Sequence, residues 1–174
     1  MAAGGDLTRA PLVLTLEMDG ESFARLDALR RRYYPPERNL VPAHVTLFHS
    51  LPGERAREVK ALLVQVAARE RRMEIAVDGV RTTERGVAVF LRSPQLHALR
   101  AALAAEWWPW LTEQDRAGFR PHVTVQNGIT AGEAHRTRAS AAAGLHLSRI
   151  VGRGLHLWRY REGRWEDERL FRFR

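Results

Sequence analysis

The chain has 174 residues, 28 basic against 20 acidic side chains, a net charge of +8 and no cysteine. That length fits one domain, or one domain of two lobes, and the missing thiol excludes disulfides, cysteine nucleophiles and cysteine-ligated metals. The basic excess favours an anionic partner such as phosphate or nucleic acid, although Lys60 is the single lysine and the arginines are spread along the chain.

In chain order, the start MAAGGDLTRAPLVLTLEMDG holds only a short apolar run around Leu12–Leu16. It is too short for a secretory core or a membrane span, so a soluble, cytoplasmic monomer away from membranes is expected. PLVLTLEM reads as a strand closed by the Asp19-Gly20 turn. A helix follows with Phe23, Leu26 and Leu29 at helical spacing, and YPP stops it. The loop PPERNLVP, with Arg38 and Asn39 placed to close over a substrate, leads into AHVTLFHS. After Pro52-Gly53 comes an amphipathic helix with Val59, Leu62, Leu63 and Val66 on one face, then the strands MEIAVDGVRTT and RGVAVFLRS.

The order then restarts. SPQLHALRAALAAEWW is a helix with Ser93 as N-cap and Pro94 in its first turn. The loop PWLTEQDRAG leads to FRPHVTVQN, an alanine-rich helix ends at Gly144, and the remaining chain reads as a hairpin. Strand, helix, His-Val-Thr strand, helix, strand thus occurs twice, which points to an internal duplication of about residues 10–81 and 86–158, with 164–174 as a closing strand. Neither half has enough covering helix to stand alone, so residues 1–174 are expected to form a single bilobal domain.

Residues i and i+2 of a strand share a face. Pro42, His44, Thr46 and Phe48 should therefore line up opposite Ala43, Val45 and Leu47, and His49 should point away from His44. In the second copy Arg120, His122, Thr124 and Gln126 should oppose Pro121, Val123 and Val125. An approximate two-fold would bring two imidazoles and two hydroxyls together across a cleft. A neutral imidazole as base and a protonated one as acid, flanking one phosphorus, suit in-line phosphodiester cleavage. Threonine hydroxyls and Arg120 could hold the phosphate oxygens, and Phe48 could stack on a base.

The paired motifs PAHVTL and RPHVTV resemble those of the 2H phosphoesterase superfamily, specifically its bacterial 2′-5′ RNA ligase/cyclic phosphodiesterase branch, over essentially the whole chain. The resemblance implies an α+β fold of two antiparallel sheets flanking a central cleft, with helices on the outer faces. It implies metal-independent hydrolysis of RNA 2′,3′-cyclic phosphate ends or cyclic nucleotides to a 2′-phosphate, without a cofactor. His44 and His122 take the acid and base roles, unassigned between them, and Thr46 and Thr124 hold the phosphate. Many relatives have a basic residue just after the second motif, where this chain has Gln126 and Asn127.

Other constellations are weaker. The acids Glu37, Glu54, Glu113 and Asp115 lie outside the motif strands, which disfavours a metal centre. Lys60 sits in an amphipathic helix and no phosphate-binding G-x-x-x-x-G-K-[ST] loop exists, so any ligation would be the ATP-free reversal of cleavage. His97 and His135 are expected on solvent-facing helices, while His146 and His156 lie on or beside late strands. The alternatives are a non-catalytic RNA-binding module and a small-metabolite phosphoesterase using the same cleft.

Overall fold

The structure, a computed structural model, describes residues 9–174. The expectation about the chain's start partly concerns residues 1–8, which lie outside the described residues. Strand β1 (Leu12–Met18) is buried on both faces, and Asp19 then accepts from the Ser22 amide at 3.0 Å to start helix α1 (Gly20–Tyr33). A 3₁₀ turn (Pro36–Arg38) precedes β2 (Thr46–Leu51), and a second (Gly53–Arg55) precedes α2 (Ala56–Arg69). Strands β3 (Met73–Thr82) and β4 (Gly86–Arg92) form a hairpin. Ser93 caps α3 (Pro94–Trp107) as its sequence position implies.

The stretch expected as a loop after Trp107 is more ordered than that. It holds a 3₁₀ turn (Trp108–Trp110) and the one-turn helix α4 (Glu113–Arg116), begun by the Thr112 hydroxyl. Then come β5 (His122–Asn127), α5 (Ala131–Gly144) with a Thr130/Glu133 capping box, β6 (Arg149–Arg161) and β7 (Arg164–Arg172). Glu162 and Gly163, at φ 47° and 82°, form the two-residue turn between the last two strands. Both residues take the left-handed values that suit a tight hairpin.

All pairings are antiparallel, in the order β2-β1-β6-β3-β4-β5 with β7 also on β6. The long β6 joins two groups of strands. Arg149–Gly152 pairs with β3, while the remainder lies between β1 and β7. The expected α+β architecture of antiparallel strands and packed helices is therefore present, but in place of two separate sheets the long β6 hydrogen-bonds the two groups of strands into one seven-stranded sheet. Leu26 and Leu29 of α1 and Val59 and Leu63 of α2 are buried, as their spacing required. Helix α1 also crosses to pack on β5, and α5 packs on β3 and β4.

Each motif strand carries a bulge at the same point. Thr46 pairs with Thr15 but Phe48 with Leu14, which leaves Leu47 as an extra residue. Thr124 pairs with Ala88 but Gln126 with Val87, which leaves Val125 extra. A bulge breaks the period-two alternation, so side chains beyond it change face. This small irregularity decides what the site contains.

Candidate active site

His44 lies just ahead of β2, held by two backbone contacts. The Ala43 amide donates to buried Asp27 of α1 at 2.9 Å, and the Val45 carbonyl accepts from the Leu16 amide at 2.9 Å. His122 opens β5. Both rings make the same local bond, Nδ1 donating at 2.7 Å to the carbonyl two residues back, Pro42 for one and Arg120 for the other. A carbonyl only accepts, so Nδ1 carries the proton in each ring and Nε2 is left free. The two imidazoles, Thr46 and Thr124 line one cavity of about 220 Å³, together with Val13, His49, Tyr160 and Trp165.

The environments of the two rings differ. Trp165 stands against His44 with ring centroids 4.5 Å apart, and Phe90 flanks His122 at 5.6 Å. Burial pushes the His44 pKa down to about 4, and the charges of Arg30, His122 and His49 push the same way against the Pro42 bond. His44 is therefore neutral at neutral pH.

Three expected site residues are not on this cavity wall. Phe48 does not face the cavity. The bulge at Leu47 turns it into the core, where it is fully buried against Trp107 and the Arg100 guanidinium. The bulge at Val125 likewise breaks the alternation at Gln126, which is half-buried, has no hydrogen-bond partner for its buried Oε1 among the described residues, and is not on the cavity wall. Arg120 precedes β5 and is exposed. Its carbonyl holds His122, but its side chain is not part of that wall.

His49 is corrected in the opposite direction, because the bulge that removes Phe48 brings this imidazole into the cavity. Even so, among the described residues no group of three or more His, Cys, Asp or Glu side chains is arranged to hold a metal ion. Arg38 and Asn39 are tied down by their neighbours: Arg38 donates to the Asn127 carbonyl at 3.2 Å, and Asn39 accepts from Arg30 at 2.8 Å. Lys60 is ion-paired to Glu168.

The C-terminal hairpin supplies walls that the motif arithmetic missed. Tyr160 and Trp165 are cross-strand partners, and an alternating Trp158-Tyr160 pattern was the available signal. Next to the first cavity lies a second of about 310 Å³, sharing His44 and Trp165 and walled by Phe23, Trp158, His156 and Arg153. His156 stacks on Trp158 at 3.7 Å and bonds Asp167 at 2.5 Å. Among the described residues no helix is long and apolar enough to cross a membrane.

Comparison with known proteins agrees with this architecture. Residues 18–164 match the family model of the 2′-5′ RNA ligase superfamily. The fold is similar to that of TT0787 of Thermus thermophilus, at TM-score 0.66 and 18% identity over 94% of this chain and 98% of that one. It is also similar to E. coli LigT in its complex with 3′-AMP, at TM-score 0.58 and 19% identity over 95% and 98%. No curated protein sequence matches the chain significantly. The match to the family model extends over most of the sequence, and the chain belongs to the 2′-5′ RNA ligase superfamily of 2H phosphoesterases.

Proposed function

We propose that the protein is a metal-independent phosphodiesterase that hydrolyses 2′,3′-cyclic phosphates, at RNA ends or in cyclic nucleotides, to 2′-phosphates. The observation that carries this reading is the pair of imidazoles on one small cavity, each with Nδ1 committed to a backbone carbonyl and Nε2 free. Such a pair can work on both sides of one phosphorus without moving.

In this reaction His44 is the base. Its depressed pKa keeps Nε2 unprotonated, so it takes a proton from the attacking water as the new O–P bond forms. His122, as imidazolium, gives its Nε2 proton to the departing 3′ oxygen as that P–O bond breaks. The entering phosphate anion favours the protonated form of His44 and strengthens it as an acceptor when the proton arrives. Thr46 and Thr124 donate to the non-bridging oxygens, where charge builds. No covalent intermediate is required, and ATP-independent 2′-5′ ligation is the same path with a ribose 5′-hydroxyl in place of water, its proton going to His44 as the 3′ oxygen departs with the proton of His122.

Several observations support a nucleotide substrate. The second cavity continues from His44 and has aromatic walls on which a base can stack, with Arg153 as a cation. LigT, whose fold this chain shares, has been described in complexes with 3′-AMP, ATP, NADP+ and phosphate. The net charge of +8 favours RNA. The matching bulges and matching Nδ1 bonds support reading the two motifs as equivalent points of an internal repeat, about residues 10–81 and 86–158, within one bilobal domain. A cysteine-free chain suits a reducing cytoplasm.

The test is a panel of 2′,3′-cyclic mononucleotides, cyclic-ended oligonucleotides and small cyclic phosphates, assayed in EDTA with product regiochemistry recorded. The reading expects turnover of at least one 2′,3′-cyclic ribonucleotide to the 2′-phosphate. Salt-sensitive RNA binding without turnover would favour a binding module instead.

A further inference from the structure

The buried carboxylate of Asp115, 1% exposed, is spent entirely on one short stretch of β2. It accepts from the His49 amide at 2.8 and 3.0 Å, from the Ser50 amide at 2.9 Å, and from His49 Nδ1 at 3.1 Å. Burial works to raise the pKa of Asp115, but these bonds hold it below the ordinary carboxylate range. Asp115 is therefore ionised and only accepts, so Nδ1 of His49 is a donor and Nε2 remains on the cavity side. Buried Arg100 fixes the same arrangement from behind. Its Nε donates to the carbonyl of the bulged Leu47 at 3.1 Å, and its Nη2 donates to the Asp115 carbonyl.

Among the described residues the cavity wall has three imidazoles, two threonine hydroxyls and one phenol, and neither arginine nor lysine. On this wall the only side chains that can carry positive charge among the described residues are the imidazoles, while Arg153 lines the adjoining cavity and Arg30 acts from behind. His44 is the neutral base and His122 gives up its proton during the reaction, so neither can stay a cation throughout. His49 has no such duty. Its side chain is 44% exposed, and it is braced by a carboxylate that can balance a charge on the ring.

We propose that His49 is a third substrate-binding imidazole of this site, donating from Nε2–H to a non-bridging phosphate oxygen, with Asp115 as the residue that positions it. The inference rests on the reading that this cavity takes a phosphate group. It adds a donor outside both His-Val-Thr motifs, placed there by the bulge at Leu47.

The experiment compares wild type, His49→Ala and His49→Gln in three measurements: binding of inorganic phosphate and of 2′-AMP by NMR titration, KM and kcat on 2′,3′-cyclic AMP, and Tm. Glutamine keeps a donor near the position of Nε2. Loss of a hydrogen bond to a charged group should weaken phosphate binding and raise KM about ten-fold in His49→Ala, with kcat within about three-fold. His49→Gln should recover part of that loss, and Tm should stay near wild type because the Asp115 bonds to the backbone persist. Phosphate binding in His49→Ala equal to wild type overturns the inference, as does a loss that glutamine leaves unrecovered while Tm falls in step. A wild type that binds phosphate through His49 but turns over no cyclic phosphate leaves this inference standing and removes the hydrolase reading. Turnover with His49-independent binding does the reverse.

Discussion

Arg30 Nη1 donates to the Thr124 carbonyl at 2.7 Å, so a buried guanidinium on α1 holds the backbone of the second motif strand. The same side chain donates from Nε to Asn39 at 2.8 Å and lies over the Tyr34 ring at 4.0 Å. It lies outside the wall of the cavity lined by His44 and His122 and acts through what it positions. Arg30→Met should cost about 1–3 kcal/mol of stability by leaving these acceptors unpaired. It should also raise the His44 pKa, because one of the nearby cations that depress it is gone. An NMR titration of the His44 ring checks this, and an unmoved midpoint contradicts the coupling.

The depressed pKa of His44 has a consequence for stability. Between about 4 in the folded chain and the ordinary 6.5 of an unfolded one, the unfolded state binds more protons. Stability therefore rises with pH through that window and is lost as pH falls through the folded value. After allowance for solvent screening, the span is on the order of 1–3 kcal/mol. Denaturant midpoints of wild type and His44→Gln should diverge between pH 4 and 6.5 and run parallel above it. Parallel curves throughout would show that burial does not hold this ring neutral.

Acid and base can be separated with a better leaving group. A cyclic substrate whose bridging 3′ oxygen is replaced by sulfur needs little protonation to depart. It should restore much of the rate of His122→Ala and little of His44→Ala, because only His122 protonates the leaving atom in this account. The opposite pattern in single-turnover rates would exchange the two roles.

Most of this cavity could be read in the sequence because four of its polar groups come from two copies of one short motif, His-Val-Thr. His44, Thr46, His122 and Thr124 converge on one cavity wall, and strand parity was enough to group each pair. What could not be read follows from the extra residues at Leu47 and Val125. Nothing in TLFHS or TVQN marks Leu47 or Val125 as bulged, because the mismatch is created by partner strands far away in the chain. Parity therefore misplaced Phe48, Gln126 and His49 together. Asp115 looked like a loop acid for the same reason, since its amide and imidazole partners lie 65 and 66 positions away. The helices were easier. Ser93 and the apolar spacing of α1 and α2 are local signals, and the fold kept them.

Gly86 shows how little space the second motif strand leaves. A Cβ added there would stand 1.9 Å from the Gln126 carbonyl oxygen and 2.8 Å from Asn127 Cα, both backbone atoms. Gly86→Ala must push the end of β5 away from β4. A loss of about 1–3 kcal/mol is expected, with reduced activity through displaced Thr124. A Tm and a rate both equal to wild type would contradict this close approach.

Removing either threonine hydroxyl should act mainly on the chemical step, unlike loss of the proposed His49 donor, whose bond to the phosphate already forms in the ground state. Thr46→Val and Thr124→Val each keep the side-chain shape and delete the hydroxyl. Each is expected to lower kcat about 10²-fold with little change in Tm. A rise in KM alone, with kcat intact, would make the hydroxyls binding groups that do not respond to the transition state.

The most direct measurement is the steady-state hydrolysis of a 2′,3′-cyclic mononucleotide in EDTA by wild type, His44→Ala and His122→Ala. The account predicts metal-free turnover by wild type, and a loss of about 10²–10⁴-fold in each single variant with the fold retained. Wild-type rates in either variant, or turnover abolished by the chelator, would contradict it.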